Sequence, residues 1–128
     1  MPIAFGNSTF FYDLLFWQGA FGFNTGYNDI LGISSSGLAN KWVQVTAVFT
    51  NGDPHSNELY INGVQQTLAQ EVGTTPNSNQ LLENAFIGGV PNFYYFYGDI
   101  DEVQIYNGAL TAAQIQSIYN AGSAGVCQ

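Results

Sequence analysis

Positive charge is almost absent from this chain. Its 128 residues include one lysine, Lys41, and no arginine, whereas nine residues are aspartate or glutamate. The formal net charge at pH 7 is therefore -8. Nucleic-acid binding depends on clustered lysine and arginine, and anionic membrane surfaces attract the same side chains. The sequence therefore predicts neither a nucleic-acid partner nor a membrane partner.

Cysteine, charge and long apolar runs are also scarce. The single cysteine, Cys127, lies beside the C-terminus and is not expected to form a disulfide within the chain. No run of about 18 apolar residues could span a bilayer, and Met1-Pro2-Ile3 lacks the basic and apolar regions of a signal peptide. Charged residues are 8% and aromatic residues 16%, which excludes a disordered chain and a highly charged helical bundle.

The sequence does contain turn-forming residues at regular intervals. Clusters of Gly, Asn, Ser and Pro recur about every 8–12 residues, and β-branched and aromatic residues fill the intervals. This spacing is typical of an all-β antiparallel sandwich. We expect residues 1–128 to form one such domain.

Several strands can be placed from local pattern. Residues 42–49 alternate in period two, which predicts a strand with Val43, Val45, Ala47 and Phe49 facing the core. Asn62-Gly63 is a favoured two-residue hairpin turn. Residues 10–23 are interpreted as two strands joined near Gln18-Gly19, and residues 102–106 as a strand with one solvated face.

One segment has helical spacing instead. Apolar residues between Leu110 and Tyr119 recur at helical intervals, and Thr111 with Gln114 forms a T-x-x-Q capping box. Asn120-Ala121-Gly122 is a helix stop. A helix of about three turns is marginal alone, so we expect it to dock on a sheet.

Three separate blocks carry a family resemblance. They are Gly98-Asp99-Ile100-Asp101-Glu102-Val103-Gln104-Ile105-Tyr106-Asn107 with the helix that follows, Trp42 to Val64, and Phe86-Ile87-Gly88-Gly89. Their order and spacing, from Trp42 to Gly122, resemble the bacterial laminin G-like, concanavalin A-like domains.

The resemblance implies a jelly-roll sandwich and a non-catalytic, lectin-like module of a larger secreted or cell-surface bacterial protein. Its partners would be oligosaccharides or polysaccharides, and many members hold calcium. By this resemblance we expect the chain to lack the family's first N-terminal strands, and their absence would leave unpaired edges and favour a homo-oligomer. The alternative function is therefore a structural or adhesive module that self-associates through exposed strand edges.

Sugar recognition needs aromatic faces for the apolar sides of pyranose rings and short polar side chains for hydroxyls. The loop from Asn24 to Asp29 offers both, and residues 93–97 are five consecutive aromatics that a strand would divide between its two faces. The candidate carbohydrate-binding residues are Asn24, Tyr27, Asp29, Trp42, Gln44, Tyr60, Asn62, Tyr94 and Tyr95. Structural packing is the alternative role for each aromatic ring.

Asp101 is the candidate metal ligand. Alternation with Val103 and Ile105 predicts that its carboxylate points inward at a strand end, where it needs a metal, backbone N–H groups or another partner. The family resemblance matches this position to a frequent calcium ligand. A hydrogen-bonded structural aspartate is the alternative.

Nothing in the sequence forms a catalytic set. Asp99 and Asp101 share a strand face but Glu102 points away, so the spaced carboxylates of a glycosidase are incomplete. His55 lies in a loop without the partners of a zinc site, and no nucleophile elbow is present. We therefore expect no enzymatic activity and no catalytic residues.

Overall fold

A computed structural model describes residues 1–6, 11–76, 84–90 and 94–122. The elements in chain order are β1 (Ile3–Gly6), β2 (Phe11–Trp17), β3 (Ala20–Asn24), β4 (Ile30–Ser34), β5 (Val45–Val48), a 3-10 helix (Pro54–Ser56), β6 (Glu58–Ile61), β7 (Val64–Gln65), β8 (Ala69–Val72), β9 (Asn84–Ile87) and α1 (Ala112–Ala121). Phe10, Phe93 and Cys127, each part of a sequence prediction above, lie outside the described residues.

The strands form two antiparallel sheets. The larger has six strands in the order β8-β4-β3-β2-β1-β9, and the smaller has three in the order β5-β6-β7. The hairpin predicted within residues 10–23 is confirmed as β2 and β3, which pair from Trp17 with Ala20 to Asp13 with Asn24. The all-β sandwich with one short C-terminal helix is confirmed.

The two sheets enclose an aromatic core. The large sheet contributes Tyr12, Leu14, Phe21 and Phe23, and the small sheet contributes Leu59, with Ala47, Phe49 and Ile61 packed against them. The Phe49 ring meets the rings of Tyr12 and Phe23 edge-on, each at a centroid distance of 5.1 Å. Burial of each such side chain stabilises the fold by about 1.5–3 kcal/mol. Ala47 and Phe49 face the core as predicted, but Val45, where the strand begins, is 39% exposed.

The other face of the large sheet is also buried. Its cluster consists of Met1, Ala4, Leu15, Ala20, Ile30 and Val90, with Val72 and Phe86 packed against it. Asp13 sits on this face, opposite Ala4 on β1 and Asn24 on β3. A carboxyl group is therefore held on an apolar face of the sheet.

The predicted hairpin turn and the helix pack together. Asn62 and Gly63 both have positive φ, 52° and 75°, as a type I′ turn requires. A Cβ on Gly63 would lie 2.9 Å from Cβ of Tyr119, so the helix rests directly on the turn. The capping box of Thr111 and Gln114 is confirmed, and Ile115 is the helix residue that is buried.

Two predicted strands are absent. Residues 94–97 have no regular secondary structure, and Tyr94 has a φ of 53°, which no strand residue adopts. Residues 102–106 are also irregular and exposed, because Glu102 has a φ of 51° and its N–H donates to the Asp101 carboxylate rather than to a neighbouring strand. Val103 and Ile105, expected inside, are 44% and 63% exposed.

Helix α1 is short. Across the described ranges, no helix has both the length and the apolarity needed to cross a bilayer.

Candidate functional site

The loop from Asn24 to Asp29 is organised around one buried carboxylate. Asp29 is 1% exposed. Its Oδ1 accepts hydrogen bonds from the backbone N–H groups of Thr25 and Tyr27, both at 3.1 Å. Its two oxygens also lie 3.1 Å from the Thr25 hydroxyl, and Oδ2 accepts from the Thr75 hydroxyl at 2.7 Å. These donors compensate the cost of burying the charge and fix the loop backbone.

A second side chain closes the start of the same loop. Oδ1 of Asn24 accepts from the N–H of Gly26 at 3.1 Å, the local turn that asparagine favours. Gly26 and Asn28 take positive φ values of 84° and 55°, and glycine and asparagine tolerate that region best. The loop therefore turns Tyr27, which is 55% exposed, and Asn28 toward solvent.

Thr75 follows β8, the strand that pairs with β4, and its own position is fixed by hydrogen bonds. Its N–H donates to Oε1 of Gln70 at 3.2 Å, and Nε2 of Gln70 donates to its hydroxyl at 3.0 Å. Nε2 of His55 lies 3.1 Å from the Thr75 carbonyl oxygen. Sequence reasoning missed Thr75 and Gln70, and no local signal marks them, since Thr75 and Asp29 are 46 residues apart.

Two of the three loop residues predicted to contact sugar therefore point inward. Asp29 was expected to bind hydroxyl groups, but its oxygens already accept from the protein's own donors. Asn24 is 9% exposed and its Oδ1 holds the turn. Both residues position the loop, and Tyr27 is the one of the three that is exposed.

The predicted surface on the small sheet is only partly assembled. Trp42 is 69% exposed. Gln44 and Asn62 are neighbours, because the N–H of Gln44 donates to Oδ1 of Asn62 at 3.0 Å and the N–H of Asn62 donates to the Gln44 carbonyl oxygen at 2.9 Å. The amide oxygen of Asn62 is thus engaged by the backbone, and Oε1 of Gln44 is buried without a partner in the described part of the chain.

Tyr60 does not belong to that surface. It is 2% exposed, and its hydroxyl donates to Oε2 of Glu58 at 2.6 Å. This hydrogen bond to Glu58, together with burial, raises the pKa of Tyr60 to about 12. The prediction that its ring faces a ligand is wrong, because a buried ring cannot stack on a sugar.

Tyr94 and Tyr95 are exposed, at 49% and 62%. The Tyr94 carbonyl oxygen accepts from the Met1 amino group at 2.9 Å. Because their segment is not a strand, alternation does not determine which way these rings point.

Asp101 lies at the surface instead of facing inward. Its Oδ1 accepts from the N–H of Glu102 at 2.8 Å, so a local backbone donor compensates the carboxylate. Calcium takes six to eight oxygen ligands. Within residues 1–6, 11–76, 84–90 and 94–122, no group of three or more His, Cys, Asp or Glu side chains could hold a metal. The exposed position of Asp101, outside any such group of the described residues, does not fit the predicted calcium site.

The residues near His55 form no catalytic triad. His55 is exposed and its Nε2 faces the Thr75 carbonyl oxygen. The hydroxyl of Ser56 donates instead to Oδ2 of Asp53 at 2.5 Å. The histidine therefore activates neither side chain in this arrangement.

Asp13 is the least expected group in the sandwich. It is fully buried, and neither oxygen makes a hydrogen bond of ordinary geometry to a described residue. Burial raises the pKa of Asp13 from 3.8 to about 7; the neighbouring Asn24 side chain and the N-terminal amine oppose this effect, and Asp29 adds to it. The group is therefore a source of pH-dependent stability rather than a surface ligand.

Replacement of Asp29 by asparagine should destabilise the protein. The carboxylate of Asp29 now accepts from buried hydroxyl groups, and the NH2 group of an asparagine would face one of these donors instead. At least one buried donor would therefore lose its acceptor. We expect the free energy of unfolding to fall by about 2–3 kcal/mol in urea titrations at pH 7. Asp99→Asn, at an exposed position, is the charge-matched control and should change it little. An unchanged Asp29→Asn protein would contradict the positioning role.

Comparison with known proteins gives one match. A laminin G-like family model, described as the concanavalin A-like lectin/glucanases superfamily, matches residues 2–116. No curated protein and no solved structure matches significantly. The matched region contains both sheets and the Asn24–Asp29 loop.

Proposed function

Because the chain belongs to the concanavalin A-like lectin/glucanase superfamily, we propose that it is a non-catalytic carbohydrate-binding module whose contact surface is the Asn24–Asp29 loop. The observation that carries the proposal is the buried Asp29 carboxylate, which fixes the loop and leaves Tyr27 and Asn28 exposed. Secretion or cell-surface display in a larger bacterial protein belongs to the same proposal and rests on the family resemblance.

The chemistry of the exposed pair suits a sugar. The tyrosine ring offers a flat apolar face for the C–H side of a pyranose, and its hydroxyl and the neighbouring amide can hydrogen-bond to sugar hydroxyls. Because the loop is already ordered by internal hydrogen bonds, binding loses little backbone entropy. Affinity per site should still be modest, and several copies on one parent protein would strengthen it.

We propose binding without cleavage because of where the carboxylates lie. Glycoside hydrolysis requires two carboxyl groups on either side of the scissile bond. Asp13 is closed off from solvent, and the Asp29 oxygens are occupied by the protein's own donors. Asp99 and Asp101 are exposed on a segment without regular structure. These positions favour a lectin over a glucanase.

Substitution of Tyr27 tests the proposal. A glycan array should first identify a sugar that the wild-type protein binds reproducibly. Tyr27→Ala removes the stacking face and should weaken that binding about tenfold in calorimetric titrations. Tyr27→Phe keeps the ring and should retain most of the affinity, and Trp42→Ala, at an exposed ring outside the loop, should leave it unchanged.

A blank array would contradict the proposed function. Equal loss of affinity in Tyr27→Ala and Tyr27→Phe would contradict the stacking role of the ring. Loss of binding in Trp42→Ala alone would move the site to the small sheet.

A further inference from the structure

Strand β9 forms an edge of the large sheet that no described strand covers. It pairs with β1 on one side, and on its other side it is the last strand of the sheet. Along it, Asn84, Ala85 and Ile87 are exposed, and Ile87 retains 53% of its accessible surface. An exposed edge with an apolar side chain is a template for another strand.

The ladder shows which backbone groups face outward. The N–H of Gly88 donates to the Pro2 carbonyl oxygen at 2.9 Å, so Pro2 and Gly88 form a hydrogen-bonded pair. Hydrogen-bonded and non-hydrogen-bonded pairs alternate along an antiparallel ladder. Phe86, opposite Ala4, is therefore bonded to β1, whereas Ala85 and Ile87 direct their N–H and C=O groups away from it.

The surroundings of this edge are apolar and acidic. Cδ1 of Ile100 lies 3.9 Å from the position that a Cβ of Gly88 would occupy, so residue 100 adjoins the end of β9. Asp99 and Asp101, on either side of Ile100, are both exposed. Nine acidic residues against one basic residue make a second copy of this chain a poor electrostatic match for the edge.

We propose that β9 binds an extended segment of another protein as a seventh strand, and that this segment alternates apolar and basic residues. Its backbone would bond to the outward groups of Ala85 and Ile87. Its apolar side chains would lie beside Ile87, and its lysine or arginine side chains would face Asp99 and Asp101. This surface is distinct from the Asn24–Asp29 loop, so the proposal stands whether or not the chain binds sugars.

The test uses a synthetic ten-residue peptide of alternating valine and lysine, with a valine–glutamate peptide as its charge-reversed control. We expect the lysine peptide to bind in fluorescence anisotropy and the glutamate peptide not to bind. Ala85→Pro removes one outward N–H and leaves the β1 ladder intact, since edge strands tolerate proline. It should weaken binding about tenfold, whereas Ala85→Val, which keeps the N–H, should not weaken it.

Hydrogen exchange on the wild-type protein supplies a second measurement that needs no variant. The Ala85 and Ile87 amides should exchange quickly in the free protein and become protected with the lysine peptide, and the Phe86 amide should be protected in both states. Equal binding of the two peptides would overturn the proposal, as would unchanged exchange at these amides. A dimer in sedimentation that Ala85→Pro dissociates would assign the edge to a second copy instead.

Discussion

Replacement of Asp13 by asparagine should make the protein more stable at pH 8, by up to ~4 kcal/mol in the free energy of unfolding. The wild-type carboxyl group has a pKa of about 7 when folded, against 3.8 in an unfolded chain. At pH 8 it is therefore charged in both states, and the folded state carries the cost of an ion with no partner of ordinary hydrogen-bond geometry in the described structure. An asparagine side chain is neutral and avoids that cost.

The wild-type protein should also lose stability as the pH rises. Between pH 3.8 and about 7 the folded state keeps the Asp13 proton and the unfolded state releases it, so folding is favoured at the lower pH. Above about pH 7 the loss is complete and this contribution is constant. Urea titrations from pH 4.5 to 8 should show this decline in the wild-type protein and a much flatter profile in Asp13→Asn.

Asp99→Asn separates this effect from general charge repulsion. It removes the same unit of charge from an exposed site and should keep the wild-type pH profile. A wild-type protein whose stability rises from pH 5 to pH 8, or an Asp99→Asn variant as flat as Asp13→Asn, would contradict the account of Asp13.

Replacement of Gly22 by alanine should prevent the large sheet from forming. A Cβ at this position would lie 2.5 Å from Cα of Gly32 and would also overlap the Leu31 carbonyl oxygen. Gly22 and Gly32 face each other in the register of β3 and β4, and the clashing atoms are backbone, so no side-chain rotation relieves the overlap. We expect a loss of at least ~4 kcal/mol, enough to unfold a marginally stable domain.

Gly108→Ala is the matched control, because a Cβ there meets no atom within 4 Å. Circular dichroism and melting temperature should be close to wild type for Gly108→Ala, whereas Gly22→Ala should be insoluble or lack a cooperative transition. A Gly22→Ala protein that melts like wild type would contradict the close approach of β3 and β4.

The two buried aspartates show that the effect of a buried carboxylate on stability depends on the hydrogen-bond donors around it. Asp29 and Asp13 are both buried, but Asp29 accepts hydrogen bonds from four donor groups and Asp13 from none with ordinary geometry in the described residues. Conversion to asparagine should therefore destabilise the protein at position 29 and stabilise it at position 13. Sequence alone did not show this difference, because the Thr75 hydroxyl that Asp29 accepts from is 46 residues away in the chain.

Features with a local cause were predictable. The hairpin turn at Asn62-Gly63 and the capping box of Thr111 and Gln114 depend on residues within a few positions of one another, and both are confirmed. The strand prediction over residues 102–106 was wrong. Alternating apolar and polar residues indicate which face of a strand would be buried, but they do not show that the segment pairs with a neighbouring strand. In the described structure those residues pair with no strand, and Glu102 has a φ of 51° with its N–H donating to the Asp101 carboxylate.

The candidate site was predicted only in part for the same reason. Composition placed Tyr27 in a polar loop, but the inward direction of Asp29 depends on Thr75, which is 46 residues away. Tyr60 was assigned to an outer strand face, but its burial depends on how the small sheet packs. Long-range packing decides which residues of a polar loop are structural.

The most direct test of sugar binding is an amide chemical-shift titration of the labelled protein with an oligosaccharide from the array. The account predicts saturable shifts at Gly26, Tyr27 and Asn28, with little change along β9. Absence of saturable shifts with every array sugar, or shifts confined to residues outside the Asn24–Asp29 loop, would contradict it.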